Sequence, residues 1–399
     1  MSDTQPSKSD LFLTFLKLGL TSFGGPIAHL GYFREAFVSR LKWMDEKTYA
    51  DLVALCQFLP GPTSSQVGLG VGLLKGGGWG AVLAWTGFTI PSALALMIFG
   101  FGVLEYSDHI PIGILTGLKV VTLAVVTQAV VGMWRSLCPD IPRSILALIG
   151  AIFLIFLPSP LHQILVLIAG GGIGYLFSKP AAVHTRPDYL KTSISFGLAN
   201  ILTGTFFVLL IGLPILVTFY DYELLQIIES FYRAGSLVFG GGHVVLPLLE
   251  NSVVDQGWVN KESFMAGYGA AQAVPGPLFT FAAYLGTVLG SSYNGVTGAV
   301  ICLLVIFLPS FLLVPALLPY WAKVNPYQSV QKALMGVNAA VVGVIAAALI
   351  DPILISVPLE MPTITLAILA LVALMVAKFP PWLVVIGTAL AGWGLENLF

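Results

Sequence analysis

The sequence predicts an all-α polytopic membrane protein built as two inverted-topology repeats joined by one odd linking helix. Three observations predict it. First, the 399 residues are 57% hydrophobic and only 9% charged, whereas a soluble domain carries roughly 25% charged residues. So few charges cannot cover a soluble surface of this size. Second, one unusual pattern of helix breakers occurs twice. Lys17 and Phe23-Gly24-Gly25 are followed by Gln57 and Pro60-Gly61-Pro62; Arg233 and Phe239-Gly240-Gly241 are followed by Gln272 and Pro275-Gly276-Pro277. Third, the apolar segments come in two sets of six with a single segment between them.

The polar start, Met1 to Asp10, has no basic n-region or small-residue cleavage site, so it is expected to stay cytoplasmic and uncleaved. Stretches apolar enough to span then fall at 11–31, 49–74, 79–104, 112–134, 142–158 and 161–178. The hydrophilic stretch 179–191 is a linker and about 197–219 is the odd segment; the pattern restarts at 227–249, 263–289, 293–318, 331–350, 362–377 and 381–397. This gives three regions: an N-terminal repeat at 11–178, a linker with its helix at 179–226, and a C-terminal repeat at 227–397. The halves share landmarks in order: Gly80-Ala-Val with Gly298-Ala-Val, Pro91-Ser92 with Pro309-Ser310, and Pro142 with Pro362.

Six spans, one odd span and six more give about 13. The odd span makes the second half enter the membrane in the opposite sense, as in many secondary transporters. With the N-terminus inside, Lys and Arg concentrate on cytoplasmic loops and Asp and Glu outside, as the positive-inside rule requires. The loop 32–47 disobeys, carrying Arg34, Arg40, Lys42 and Lys47 on the outside. Either Trp43 anchors an interfacial helix there, or the first segment does not cross.

Paired glycines and Pro-Gly-Pro at membrane depth suggest helices that stop and restart, because proline removes a donor and freed backbone groups need partners. A restarted half-helix aims N–H groups and a positive dipole end inward, which suits an anion. The alternative for Phe-Gly-Gly is close helix packing, and for Pro-Gly-Pro a plain kink. Gln57 and Gln272 sit one turn before their breaks and could donate to a ligand. Lys17 and Arg233 occupy equivalent positions, where a cation within a span is costly and either functional or snorkelling. Lys119, Gln128, His29 and His243 are weaker polar intrusions. Near the middle of the spans the sequence places no Asp or Glu, which disfavours a cation substrate. Cys56, Cys138 and Cys302 lie far apart and read as packing residues, not as a disulfide or metal set. Walker A, zinc-protease, nucleophile-elbow and haem motifs are absent, so no enzyme, cofactor or metal is expected, and the net charge of −1 gives no footprint for nucleic acid.

At Phe23-Gly24-Gly25-Pro26, Gln57-x-x-Pro60-Gly61-Pro62, Phe239-Gly240-Gly241-Gly242-His243 and Gln272-x-x-Pro275-Gly276-Pro277 the chain resembles the CHR family of chromate ion transporters in its long, two-domain form. The resemblance implies chromate efflux across the plasma (cell inner) membrane, with sulfate linked to some relatives. The combined expectation is a secondary transporter exporting a tetrahedral oxyanion. Backbone N–H groups around Gly24, Gly25, Gly240 and Gly241 would hold it, with Phe23, Phe239, Pro60, Gly61, Pro275, Gly276 and His243 also at the site. Gln57 and Gln272 would add donors, and Lys17 and Arg233 would balance charge. The expected partners are chromate or sulfate and membrane lipid; proton coupling and a homodimer stay open. An anion channel on the same fold is the alternative, and an intramembrane enzyme lacks a nucleophile–base pair.

Overall fold

The computed structural model describes residues 6–106, 111–177, 192, 194–239, 245–321, 328–358 and 360–397. Every regular element among them is helical. Helix α1 (Lys8–Thr21) starts at a capping box in which Ser7 and Asp10 bond each other's backbone N–H. The chain breaks at Ser22-Phe23-Gly24, and α2 (Gly25–Arg34) returns beside α1. Phe15 of α1 therefore meets Phe33 of α2 at 5.9 Å and Phe37, in the π-helical turn Glu35–Arg40, at 5.1 Å.

A second folded-back pair follows. Helix α3 (Glu46–Phe58) is capped by Asp45, whose carboxylate accepts the Thr48 N–H and is held below its usual pKa by that bond. After Pro60-Gly61-Pro62 comes α4 (Thr63–Tyr106), whose early residue Gly70 lies under Leu52 of α3. Straight, the 44 residues of α4 would reach about 66 Å. Instead α4 doubles back at Gly77 (φ 62°, ψ −155°). A Cβ on Gly72 would collide with the Gly80 carbonyl and Ala84, so the two arms of α4 touch backbone to backbone. Helices α5 (Ile112–Leu137), α6 (Ile141–Phe156) and α7 (Pro160–Phe177) complete the first half.

Helix α8 (Phe196–Phe219) links the halves and buries only Ala199, Phe206 and Leu213, spaced by seven. The second half then repeats the order. Helix α9 (Glu223–Leu237) packs on α10 (Val245–Val253). Helix α11 (Lys261–Ala273) leads through Pro-Gly-Pro and the 3₁₀ turn Leu278–Thr280 into α12 (Phe281–Val288), and the Tyr284 hydroxyl donates back to the Ser263 carbonyl at 2.7 Å. Helix α13 (Gly295–Leu317) returns along α12 through Gly286 and Gly298, as Gly72 and Gly80 meet in the first half. Helices α14 (Gln328–Ala348), α15 (Met361–Met375) and α16 (Pro381–Glu396) finish the chain.

The structure thus departs from the expectation that 11–31, 49–74, 227–249 and 263–289 are single spans. Each holds two helical stretches separated by a break: α1 and α2, α3 and the start of α4, α9 and α10, α11 and α12. Apolar run length cannot tell a crossing from a folded-back pair; the turn chemistry decides. Among the described residues, five helices are long and apolar enough to cross a membrane: α4, α5, α8, α13 with its 3₁₀ turn, and Ser329–Leu354.

The halves share their cores. One cluster joins Ala93 and Leu96 of α4 to Phe231, Phe264, Phe281 and Phe307 of the second half. Another joins Phe15, Phe33 and Leu52 to Tyr232, Leu312 and Trp321. Large apolar side chains such as Ile98, Phe156, Ile168 and Val208 remain exposed on the outside, as a lipid-facing surface requires.

Candidate functional site

The two Pro-Gly-Pro turns each close on the other half. The Gly61 N–H donates to the Val238 carbonyl at 2.6 Å, and the Gly276 N–H donates to the Ser22 carbonyl at 2.9 Å. Ser22 and Val238 are equivalent residues, each just before the phenylalanine of its Phe-Gly-Gly. Both acceptors are therefore carbonyls freed where α1 and α9 end, and both donors are freed by the proline-flanked turns. The match extends to side chains: Gly61 lies against Ser310 Oγ and Gly276 against Ser92 Oγ, again equivalent positions. Gly61 and Gly276 adopt φ of 121° and 97°, conformations that favour glycine.

Around these crossings lies a buried polar cluster. His29 Nε2 bonds the Ser22 carbonyl at 3.1 Å and Nδ1 pairs with Ser64 Oγ at 3.2 Å. Because a carbonyl only accepts, Nε2 carries the proton and Nδ1 accepts from the Ser64 hydroxyl. His29 thus ties the first half's hairpin to the carbonyl that already holds Gly276. Gln66, fully buried, donates through Nε2 to the Pro60 carbonyl at 2.6 Å and to Ser310 Oγ at 3.3 Å. Ser22 Oγ, Ser65 Oγ, Thr89 Oγ1 and Gln66 Oε1 are enclosed without a hydrogen-bond partner among the described residues, a costly state unless a ligand or water completes them.

The predicted residues divide. Gly61 and Gly276 sit at the crossings, and Pro60 and Pro275 beside them, half-buried. Gly24 (φ 98°) and Gly25 (φ 75°) form the break before α2, where Phe23 packs on Trp382 at 6.2 Å. Gln272 is half-buried with its Nε2 enclosed and without a partner among the described residues, whereas Gln57 is exposed on α3. Phe239 packs on the second-half core. Gly240, Gly241 and His243 lie outside the described residues.

The cations do not enter the cluster. Lys17 is exposed on α1. Arg233 pairs with Glu229 on its own helix at 2.6 Å, the two side chains being 19% and 11% exposed. Lys119 reaches Glu262 of α11 at 3.1 Å. Two acids at the ends of segment 227–249, Glu229 and Glu250, are buried. Sequence reasoning missed Ser22, Ser64, Ser65, Gln66, Thr89, Ser92 and Ser310. The run Ser64-Ser65-Gln66 directly after a helix break was the available signal. Among the described residues no group of three or more metal-ligating side chains converges, and Cys56, Cys138 and Cys302 are buried and unpaired.

The profile of the family described as Chromate transporter matches the chain twice, over residues 9–175 and 225–393. The chain is 28% identical to a chromate transport protein of Pseudomonas aeruginosa over 97% of its own length and 92% of the relative's. It is 28% identical to a probable chromate transport protein of Synechococcus elongatus over 95% and 93%, and 26% identical to a chromate transport protein of Cupriavidus metallidurans over 96% and 92%. No solved structure matches it.

Proposed function

The chain belongs to the chromate transporter family, and on that premise we propose that it is a secondary transporter exporting a tetrahedral oxyanion, chromate first, from the cytoplasm. The reciprocal bonds Gly61 to Val238 and Gly276 to Ser22 carry the reading. They relate the halves as two interlocked copies whose broken helices meet at one place, the arrangement in which transporters bind substrate and alternate access. The site we assign is the zone of the two crossings, with backbone donors and hydroxyls as the anion's partners and sulfate as the competing substrate.

Reading the hairpins as re-entrant gives a different membrane path. With α1–α2, α3 with the short arm of α4, α9–α10 and α11–α12 entering and leaving on one face, the spans are the long arm of α4, α5, α6, α7, α8, α13, α14, α15 and α16. Four spans on either side of α8 keep the repeats inverted. This path also removes the disobedient loop: Arg34, Arg40, Lys42 and Lys47 fall on the same face as Lys8, Lys75, Arg135 and Arg143, the cytoplasmic face of a plasma membrane. A single Arg40→Cys label, in a protein whose own three cysteines are buried, should react from the cytoplasmic side only; reaction from outside would restore the longer span count.

Export has a physical basis. Each charge moved through the field is worth about 2.3 kcal/mol per 100 mV, so a negative interior expels anions. In proteoliposomes, radiolabelled chromate flux should saturate and show counterflow under an imposed potential. Flux that rises without saturation would indicate a channel, and no chromate or sulfate flux would sink the proposal.

A further inference from the structure

We propose that the species carried is the singly protonated oxyanion, with Gln66 Oε1 accepting a hydrogen bond from its O–H, and that this is how the site separates chromate from sulfate. The inference rests on the transport reading above. Its first ground is the buried acceptor. Gln66 Nε2 is committed to the Pro60 carbonyl at 2.6 Å, which fixes the amide's orientation, because exchanging its ends would set oxygen against oxygen. The outward end is therefore a carbonyl, fully enclosed and without a donor among the described residues. A bare dianion has nothing to donate and would be repelled there. A hydrogen oxyanion brings one O–H for Gln66 and unprotonated oxygens for the free hydroxyls of Ser22, Ser65 and Thr89.

The second ground is charge. Among the described residues, none of the hydrogen bonds around this cluster involves a Lys, Arg, Asp or Glu side chain, and the titratable side chain in direct contact is His29 from α2. Further along α4, Phe15 of α1 lies against Gly68 and Leu52 of α3 against Gly70, Lys17 of α1 being exposed; α9 contributes the Val238 carbonyl, α13 contributes Ser310, and α11 carries Tyr268 beside Gln272. Neutral donors can hold one buried negative charge more readily than two, because the desolvation cost grows with the square of the charge. Chromate takes up its first proton near neutrality, whereas sulfate and selenate do so only in strong acid.

The third ground is asymmetry. The second-half counterparts of Ser22, His29, Gln66 and Thr89 are Val238, Val245, Phe281 and Phe307. The backbone crossings are duplicated, but the amide acceptor and most of the free hydroxyls are not. The acceptor and the hydroxyls named here therefore belong to the first half, while the second half offers Gln272 Nε2.

Chromate and selenate, nearly equal in size and shape, isolate the proton. Flux of each should be measured in proteoliposomes of the full chain across neutral to alkaline pH. Above chromate's own protonation, the total chromate needed for half-saturation should rise about tenfold per pH unit. Selenate should be carried at least about tenfold less well, and Gln66→Met should narrow that ratio. His29→Asn should keep the slope, since the substrate titrates rather than the protein. A flat chromate slope, selenate carried as well as chromate, or a slope that vanishes in His29→Asn would overturn the inference while saturable chromate flux left the transport reading standing. Absence of any saturable chromate flux would overturn both. The wild-type slope decides the matter even if Gln66→Met fails to fold.

Discussion

Replacing Gly276 with alanine is expected to remove most transport, and replacing Gly61 should do the same, while alanine at exposed Gly31 should change little. At Gly276 a Cβ would meet Ser92 Oγ at 2.8 Å and the Phe88 carbonyl at 3.2 Å; at Gly61 it would meet Ser310 Oγ at 3.0 Å and collide with Gln66. The backbone conformation adds strain on the order of 1–3 kcal/mol at each position. Relief requires the turn to withdraw, which breaks its hydrogen bond to Ser22 or Val238. Flux and binding of chromate in purified protein, compared with a thermal melt in detergent, would separate loss of the crossing from loss of the fold. Normal transport by both variants would show that the crossings are not the site.

The second large effect concerns charge. Arg233→Gln is expected to destabilise the protein by about 3 kcal/mol, because it strands Glu229 in a mostly buried position. Adding Glu229→Gln should recover most of that loss. If Arg233 only neutralises Glu229, the stable double variant transports normally. If it serves the anion, the double variant folds and still fails. Thermal melting and flux on the same preparations distinguish the cases, which the single variant alone cannot do.

The duplicated motifs were legible because proline and glycine act locally: Pro60-Gly61-Pro62 and Pro275-Gly276-Pro277 turn the chain wherever they stand. What they turn onto was not legible. That Gly61 seeks Val238 and Gly276 seeks Ser22 is a matter of how two halves dock, and no periodicity within either half records it. The same limit explains Lys17 and Arg233. Position in an apolar run suggested depth, yet Lys17 lies on an exposed face of α1 and Arg233 was already answered by Glu229 one turn earlier. Gln57 drew attention through its duplication with Gln272, while Gln66, with an apolar counterpart, proved the more deeply enclosed glutamine. Repetition marks the scaffold; departures from repetition mark the chemistry laid upon it.

Helix α8 carries a consequence of its own. It keeps a single narrow stripe, Ala199, Phe206 and Leu213, against the rest of the protein, so little beyond length and apolar character is asked of its other positions by packing. Two ancestral copies with an even number of crossings, fused end to end, would lie the same way up and could not interlock. Almost any apolar stretch inserted between them would turn one over. On the proposed membrane path, that one loosely packed helix would suffice to let two like copies face each other.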